Sequence, residues 1–137
     1  KARIGHQGNQ IVEITMLDHA LKDPPSAISL IKIDTEGYEL RVLRGASCVL
    51  AEHRPVLVCE YSPSAYSLHQ IQDLLPYRAY CFSIPYNLYG KIKPVRECPD
   101  YPCDILIVPE EKLTQETWDK LNSRHHDRLT ISPSFAS

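Results

Sequence analysis

Residues 30–46, Leu30-Ile31-Lys32-Ile33-Asp34-Thr35-Glu36-Gly37-Tyr38-Glu39-Leu40-Arg41-Val42-Leu43-Arg44-Gly45-Ala46, decide how this chain is read. Leu30 to Ile33 is a short apolar run of the kind that forms a buried strand, and Asp34 stands where that strand should end. Thr35, Glu36 and Gly37 make the turn. Tyr38 to Arg44 then bring Leu40 and Leu43 onto one helical face, and Gly45 offers a stop. Strand, acidic turn and helix in that order describe a unit of an open α/β sheet. Ligands bind such sheets in the crevice beyond the carboxyl ends of the strands, so Asp34 and Glu36 are expected to face a site. One carboxylate would be explained by capping or by the helix dipole alone, and two with a glycine after them are explained less well.

Working outward, Lys1 to Gln10 carries no periodicity and reads as a loop, and Ile11, Val12 and Ile14 are available to a short strand. Thr15-Met16-Leu17-Asp18 matches the capping box of a helix running from about Met16 to Lys22, with Asp18 read as a cap. Downstream, Ala46 to Glu52 continues as helix with Val49 and Leu50 inward until Pro55 breaks it. Val56 to Glu60 is a second continuous apolar run ending in an acid, which predicts a parallel neighbour of the first strand and makes Glu60 a third site candidate. Ser62-Pro63-Ser64 predicts the start of a helix with the stripe Tyr66, Leu68, Ile71, Leu74 and Leu75, ending before Pro76.

Tyr80 to Ile84 and Asp104 to Val108 read as two further strands. The loop between them, Pro85 to Pro102 with Tyr86, Tyr89 and Tyr101, holds no helix, so the two are expected to pair antiparallel. Glu110 to Asn122 can form a helix around Leu113, Trp118 and Leu121, and the Ser-rich end from 123 is expected to be a disordered tail.

Composition narrows the function classes. With 43% hydrophobic and 23% charged residues in 137, the chain reads as one small globular domain. A net charge of −2 with scattered Lys and Arg gives no footprint for nucleic acid. No apolar run approaches the roughly 20 residues of a membrane span, and no signal peptide opens the chain, so the expected location is cytoplasmic. Five cysteines in such a chain are expected to be reduced thiols, and Cys98 and Cys103 lack a second pair at ligand spacing, so no metal is expected.

Lys32, Ile33, Asp34, Glu36, Gly37, Glu39, Leu43, Gly45 and Ala46 resemble the acidic motif of FkbM-type methyltransferases, with one departure at Thr35, where a β-branched apolar residue is more usual. Thr15, Leu17, Asp18 and Leu21 extend the resemblance upstream, and in all it covers about Ile11 to Val108. The resemblance implies an α/β, Rossmann-like class I methyltransferase fold, of which residues 1–137 would be the carboxyl-terminal half, with a core at about 11–122: two parallel βα units, then an antiparallel strand pair. It implies methyl transfer from S-adenosylmethionine to a hydroxyl of a sugar or secondary metabolite. Asp34 and Glu36 would be catalytic, Asp34 and Gly37 would lie against the cofactor, and Glu60 and Tyr38 would meet the acceptor.

The family's cofactor-holding glycine loop, on a strand expected to precede Lys1, does not occur in this sequence. The edge at Leu30–Ile33 is therefore expected to be covered by upstream sequence, by another chain, or by Ile11 to Thr15 folding back. A noncatalytic half-domain that binds a partner or substrate is the alternative reading. A phosphate-binding flavodoxin-like module is disfavoured, because acids at the strand ends repel phosphate unless a metal intervenes.

Overall fold

The apolar runs at both acids form strands, β1 (Leu30–Ile33) and β2 (Val56–Tyr61), which pair in parallel with Ile33 opposite Cys59. In this computed structural model the described residues are 13–24, 26–84, 93–95, 99–117 and 119. The connection from β1 to β2 carries α2 (Glu39–Arg44) and α3 (Ser47–His53), preceded in the chain by α1 (Leu17–Ala20). After β2 come α4 (Leu68–Gln72), β3 (Ala79–Ile84), the two-residue β4 (Lys93–Pro94), β5 (Cys103–Pro109) and a 3₁₀ turn at Glu110–Lys112.

The sheet order is β1-β2-β5-β3-β4. β5 runs antiparallel to both β2 and β3, so the last strand is inserted between two strands that share the direction of β1. The antiparallel pairing of the last two long strands is as expected. β4 is additional, pairing Lys93 with Ser83 and Pro94 with Phe82 inside the stretch read as pure loop. The result is a mixed α/β fold with a five-stranded sheet.

Period-2 alternation divides the sheet into two faces. Ile33, Leu57, Cys59, Tyr61, Cys81, Ile105 and Ile107 point to the helical side, where Leu43, Ala46, Leu50, Tyr66, Leu68 and Ile71 complete one buried cluster. The opposite face carries the row Lys32, Val58, Leu106 and Phe82, and beyond it Glu60, Asp104 and Ile84. Phe82 and Val108 are buried on that side, whereas Val58, Glu60, Leu106 and Asp104 are half-buried. β1 departs from the expected buried strand: only Ile33 is buried and Leu30 is 59% exposed. The reason is its position at the sheet edge, where no described strand pairs with its outer side.

Several local expectations are corrected. Glu13 to Met16 form no strand, and Ile14 is 72% exposed; Ile11 and Val12 lie outside the described residues. Thr15 does not cap α1; Met16 occupies the N-cap, with no side-chain bond. Asp18 is a cap, but of α3: its carboxylate accepts from Cys48 N at 3.0 Å, Val49 N at 2.9 Å and the Ser47 hydroxyl at 3.2 Å. The helix expected from Ser62 begins at Ser67, whose hydroxyl and Gln70 form a reciprocal capping box, and 62–65 make a turn instead. The helix expected from Glu110 is replaced there by the 3₁₀ turn, with helical backbone only from 115, and Trp118 and Leu121 lie outside the described residues. Arg54 closes α3 in the left-handed conformation, at φ 44°, before Pro55 as expected.

The Asp18 cap carries a pH-dependent prediction. Burial acts to raise the Asp18 pKa, but the donors from Val49, Cys48 and Ser47 together hold it below its ordinary 3.8. A carboxyl depressed in the folded state stabilises above its unfolded pKa, and that contribution is lost as pH falls through the folded value. Asp18→Ala is expected to lower stability by about 1 kcal/mol at neutral pH. Urea titrations of wild type and variant should converge below pH 3.8.

Candidate functional site

The site is built where β1 and β2 end. Because Ile33 and Cys59 are opposite one another, Asp34 and Glu60 leave neighbouring parallel strands at the same level, as expected. Glu60 is in turn paired with Asp104, the second residue of β5, which enters the sheet at that end because it runs the other way. Asp34, Glu60 and Asp104 therefore form one row across three strands. Lys32, one pleat earlier on the same face, reaches Asp34 Oδ2 with its Nζ at 2.6 Å. The bond to Asp34 chiefly raises the Lys32 pKa, with further attraction from Asp104 and Glu60. Burial raises the Asp104 carboxyl, Lys32 opposes that, and Asp34 adds to it. Asp104 thus has a perturbed affinity for protons, a property of acid–base groups.

Sequence reading missed Asp104. The signal was available only through the expected antiparallel insertion, since the first residues of an inserted strand meet the last residues of its parallel neighbour.

Above the row, residues 34–38 are exposed. Glu36 is held at φ 53° and Gly37 at φ 101°. Left-handed backbone is routine for glycine and strained for glutamate, and such strain concentrates at functional turns. Tyr38, at the N-cap of α2, is 40% exposed, with the Arg41 guanidinium 5.6 Å from its ring centroid.

Beneath the turn lies Glu39, matched in the sequence to the acidic motif but given no role there, and here 1% exposed. Its Oε1 accepts from Thr35 N at 3.0 Å, the Thr35 hydroxyl at 3.0 Å and Gly37 N at 3.1 Å, and its Oε2 accepts from Gly37 N at 3.0 Å. Burial pushes this carboxyl up, but the donors from its own N–H, Gly37 and Thr35 prevail and hold it below the usual range. Alongside, the Tyr66 hydroxyl donates to the Glu60 carbonyl. Burial, then the neighbouring Cys59 and Glu39, push that hydroxyl well up. Cys59 is itself pushed up to about 12 by burial, so it stays a thiol and offers no nucleophile.

A depression of about 390 Å³ lies elsewhere, between Gln72, Tyr77, Arg78, Tyr80 and Glu110. That is where β3 starts and β5 ends, the opposite end of the sheet from the acid row. The crevice beyond the parallel strand ends, where ligands of such sheets bind, holds Glu36 in left-handed backbone and the raised Asp104 carboxyl, whereas burial pushes Tyr77 beside the depression up to about 12. Among the described residues, no group of three or more His, Cys, Asp or Glu is arranged to hold a metal ion. Nor is any described helix long and apolar enough to cross a membrane.

A parallel pair ending in acids, an inserted antiparallel strand and a left-handed acidic turn make a mixed α/β fold compatible with that of a methyltransferase. The chain belongs to the FkbM methyltransferase family: the methyltransferase FkbM domain matches residues 5–82, more than half of it. The match takes in β1, the acidic turn, β2 and most of β3, and stops short of Asp104. Comparison with curated proteins and with solved structures gave no match.

Proposed function

We propose that this chain forms the carboxyl-terminal half of a Rossmann-like, class I methyltransferase domain that methylates a hydroxyl of a sugar or secondary metabolite, with S-adenosylmethionine as donor. The observation that carries the reading is the acid row Asp34, Glu60 and Asp104 beneath the Glu36–Gly37 turn, inside or adjoining the family match. The groups present suit the cofactor in part. Exposed carboxylates complement a sulfonium, and the turn at Gly37 is open, with nothing within 4 Å of where a Cβ would stand. The glycine loop for the rest of that molecule is not among these residues. When bound, S-adenosylmethionine supplies an electrophilic methyl on positively charged sulfur.

The work left to this chain is positioning and proton removal. Asp34 and Gly37 would lie against the cofactor, and Tyr38 and Glu60 would orient the acceptor. Asp34 or Glu36 would accept the hydroxyl proton, worth roughly 10²–10⁴-fold in rate. Asp104, with its raised pKa, joins them as a candidate for that step. The proposal places the reaction in the cytoplasm, consistent with Cys48, Cys59, Cys81 and Cys103 as free thiols.

Methyl transfer from labelled S-adenosylmethionine to a panel of saccharide and small hydroxyl acceptors tests the reading. Labelled ether product supports it. Cofactor binding with methyl appearing only on nitrogen or carboxyl acceptors contradicts the hydroxyl assignment. The second reading, a noncatalytic half-domain, draws on the missing glycine loop, and acceptor binding without any transfer would favour it.

A further inference from the structure

We infer that Glu39 is a positioning residue: a buried carboxylate that holds the backbone on both sides of Glu36 and so sets where the Glu36 side chain stands in the crevice. This rests on the reading of the acidic turn as the site of methyl transfer.

A glutamate in the first turn of a helix normally does its work from solvent, where its charge complements the helix dipole. Glu39 does not. It is 1% exposed, a burial that a carboxylate tolerates only when its oxygens are fully engaged. The donors that engage it are Thr35 N, Thr35 Oγ1 and Gly37 N. The two amides flank Glu36, and both converge on one carboxylate from the same side. The residue between them is bent into an arch, which is why Glu36 takes φ 53° and Gly37 takes φ 101°. Left-handed backbone at a non-glycine residue is strained, so it persists only where the surroundings fix it. The carboxylate fills the inside of the arch, and Glu36 is exposed.

The same buried spot reaches the second strand. Tyr66 donates to the Glu60 carbonyl, and burial, then Cys59 and Glu39, push its hydroxyl well up. Glu39 thus sits between the exit of β1 and the exit of β2. The amides that Glu39 binds, at residues 35 and 37, lie ahead of the helix and not among the free amides of its first turn, so a whole turn is shaped around one acid.

The test compares Glu39→Gln with wild type by amide hydrogen exchange and ¹⁵N chemical shifts in the 137-residue chain. Methyl-transfer kinetics are then measured in the catalytically competent domain. A glutamine keeps the size but sets an NH₂ against donors, so one bond to Thr35 or Gly37 must fail. Exchange at Thr35 and Gly37 is expected to quicken at least about 10-fold while Leu57 and Ile105 in the core keep their protection. In transfer, kcat should fall by about 10-fold or more, with KM for S-adenosylmethionine changing less.

Unchanged exchange at both amides overturns the inference. A loosened turn with unchanged kcat also overturns it, because the turn would then not need its shape. If Glu39→Gln does not fold, Glu39→Asp decides: it keeps the charge but is one methylene too short to hold both amides, and should still quicken exchange at Thr35 and Gly37 and lower kcat. Full kcat in that variant would leave Glu39 as mere scaffolding and refute the positioning role. If wild type transfers no methyl, the functional reading fails, and the exchange data still decide whether Glu39 fixes the turn.

Discussion

In the complete domain, Asp34→Asn and Glu36→Gln are both expected to lower kcat for methyl transfer, by about 10²–10⁴-fold at whichever is the base, while leaving the unfolding midpoint close to wild type. The separation of activity from stability is what distinguishes a site from a structural turn. Asp34 is exposed, and its pair with Lys32 lies in solvent, with side-chain exposures of 49% and 56%, where ion pairs contribute little to folding. Glu36 is exposed at the crest of its turn. Neither carboxylate has a share in the hydrophobic core, so neither amide should unfold the protein. If one of them is the base, its variant should also lose the acidic limb of the pH–rate profile, whereas loss of a group that only complements the sulfonium should leave that limb in place. Asp104→Asn, made in parallel, tests the raised carboxyl of the same row. Full activity in both the Asp34 and Glu36 variants would remove these residues from the mechanism.

The second large effect concerns the cofactor. The chain alone is expected to bind S-adenosylmethionine in the millimolar range, about 10³-fold or more below a complete domain, a difference of roughly 4 kcal/mol. Two observations lead there. No glycine-rich strand-to-helix loop occurs in the sequence, so the carboxylate and ribose of the cofactor lack their usual backbone donors. The outer side of β1 meets no described strand, and Leu30 is 59% exposed on it. An apolar edge that no described strand pairs with is a place where another strand belongs. Fusing the glycine-loop strand of an FkbM domain ahead of β1 should restore micromolar binding in calorimetry with S-adenosylhomocysteine. Micromolar binding and turnover by the 137 residues alone would show a cofactor site built without that loop.

The sequence carried the part of this site that is local. Two apolar runs each ending in an acid, with a glycine turn and a helical stripe after the first, specify β1, the acidic turn, α2 and β2, and the structure forms them with at most a residue's difference at the ends. Features that depend on distant partners were hidden. Asp18 looks like the cap of its own helix, and its actual donors lie at residues 47–49. Two caps competed before α4, and Ser67 with Gln70 prevailed over Ser62, because that start places Leu68 and Ile71 in the core. Asp104 becomes a neighbour of Glu60 only through the strand register. Glu39 matched a motif, and nothing in its local pattern shows that the chain turns back over it. Its burial follows from the arch that it shapes.

Methyl transfer is expected at the carboxyl ends of β1 and β2, and not in the 390 Å³ depression at the other end of the sheet. Titrating the ¹⁵N-labelled chain with millimolar S-adenosylhomocysteine and following each amide distinguishes the two directly. Shifts are expected at Asp34 through Tyr38, with Glu60 and Asp104, and none around the depression. Shifts centred on Tyr77, Arg78, Tyr80 and Glu110, with the acidic turn unmoved, would contradict that expectation.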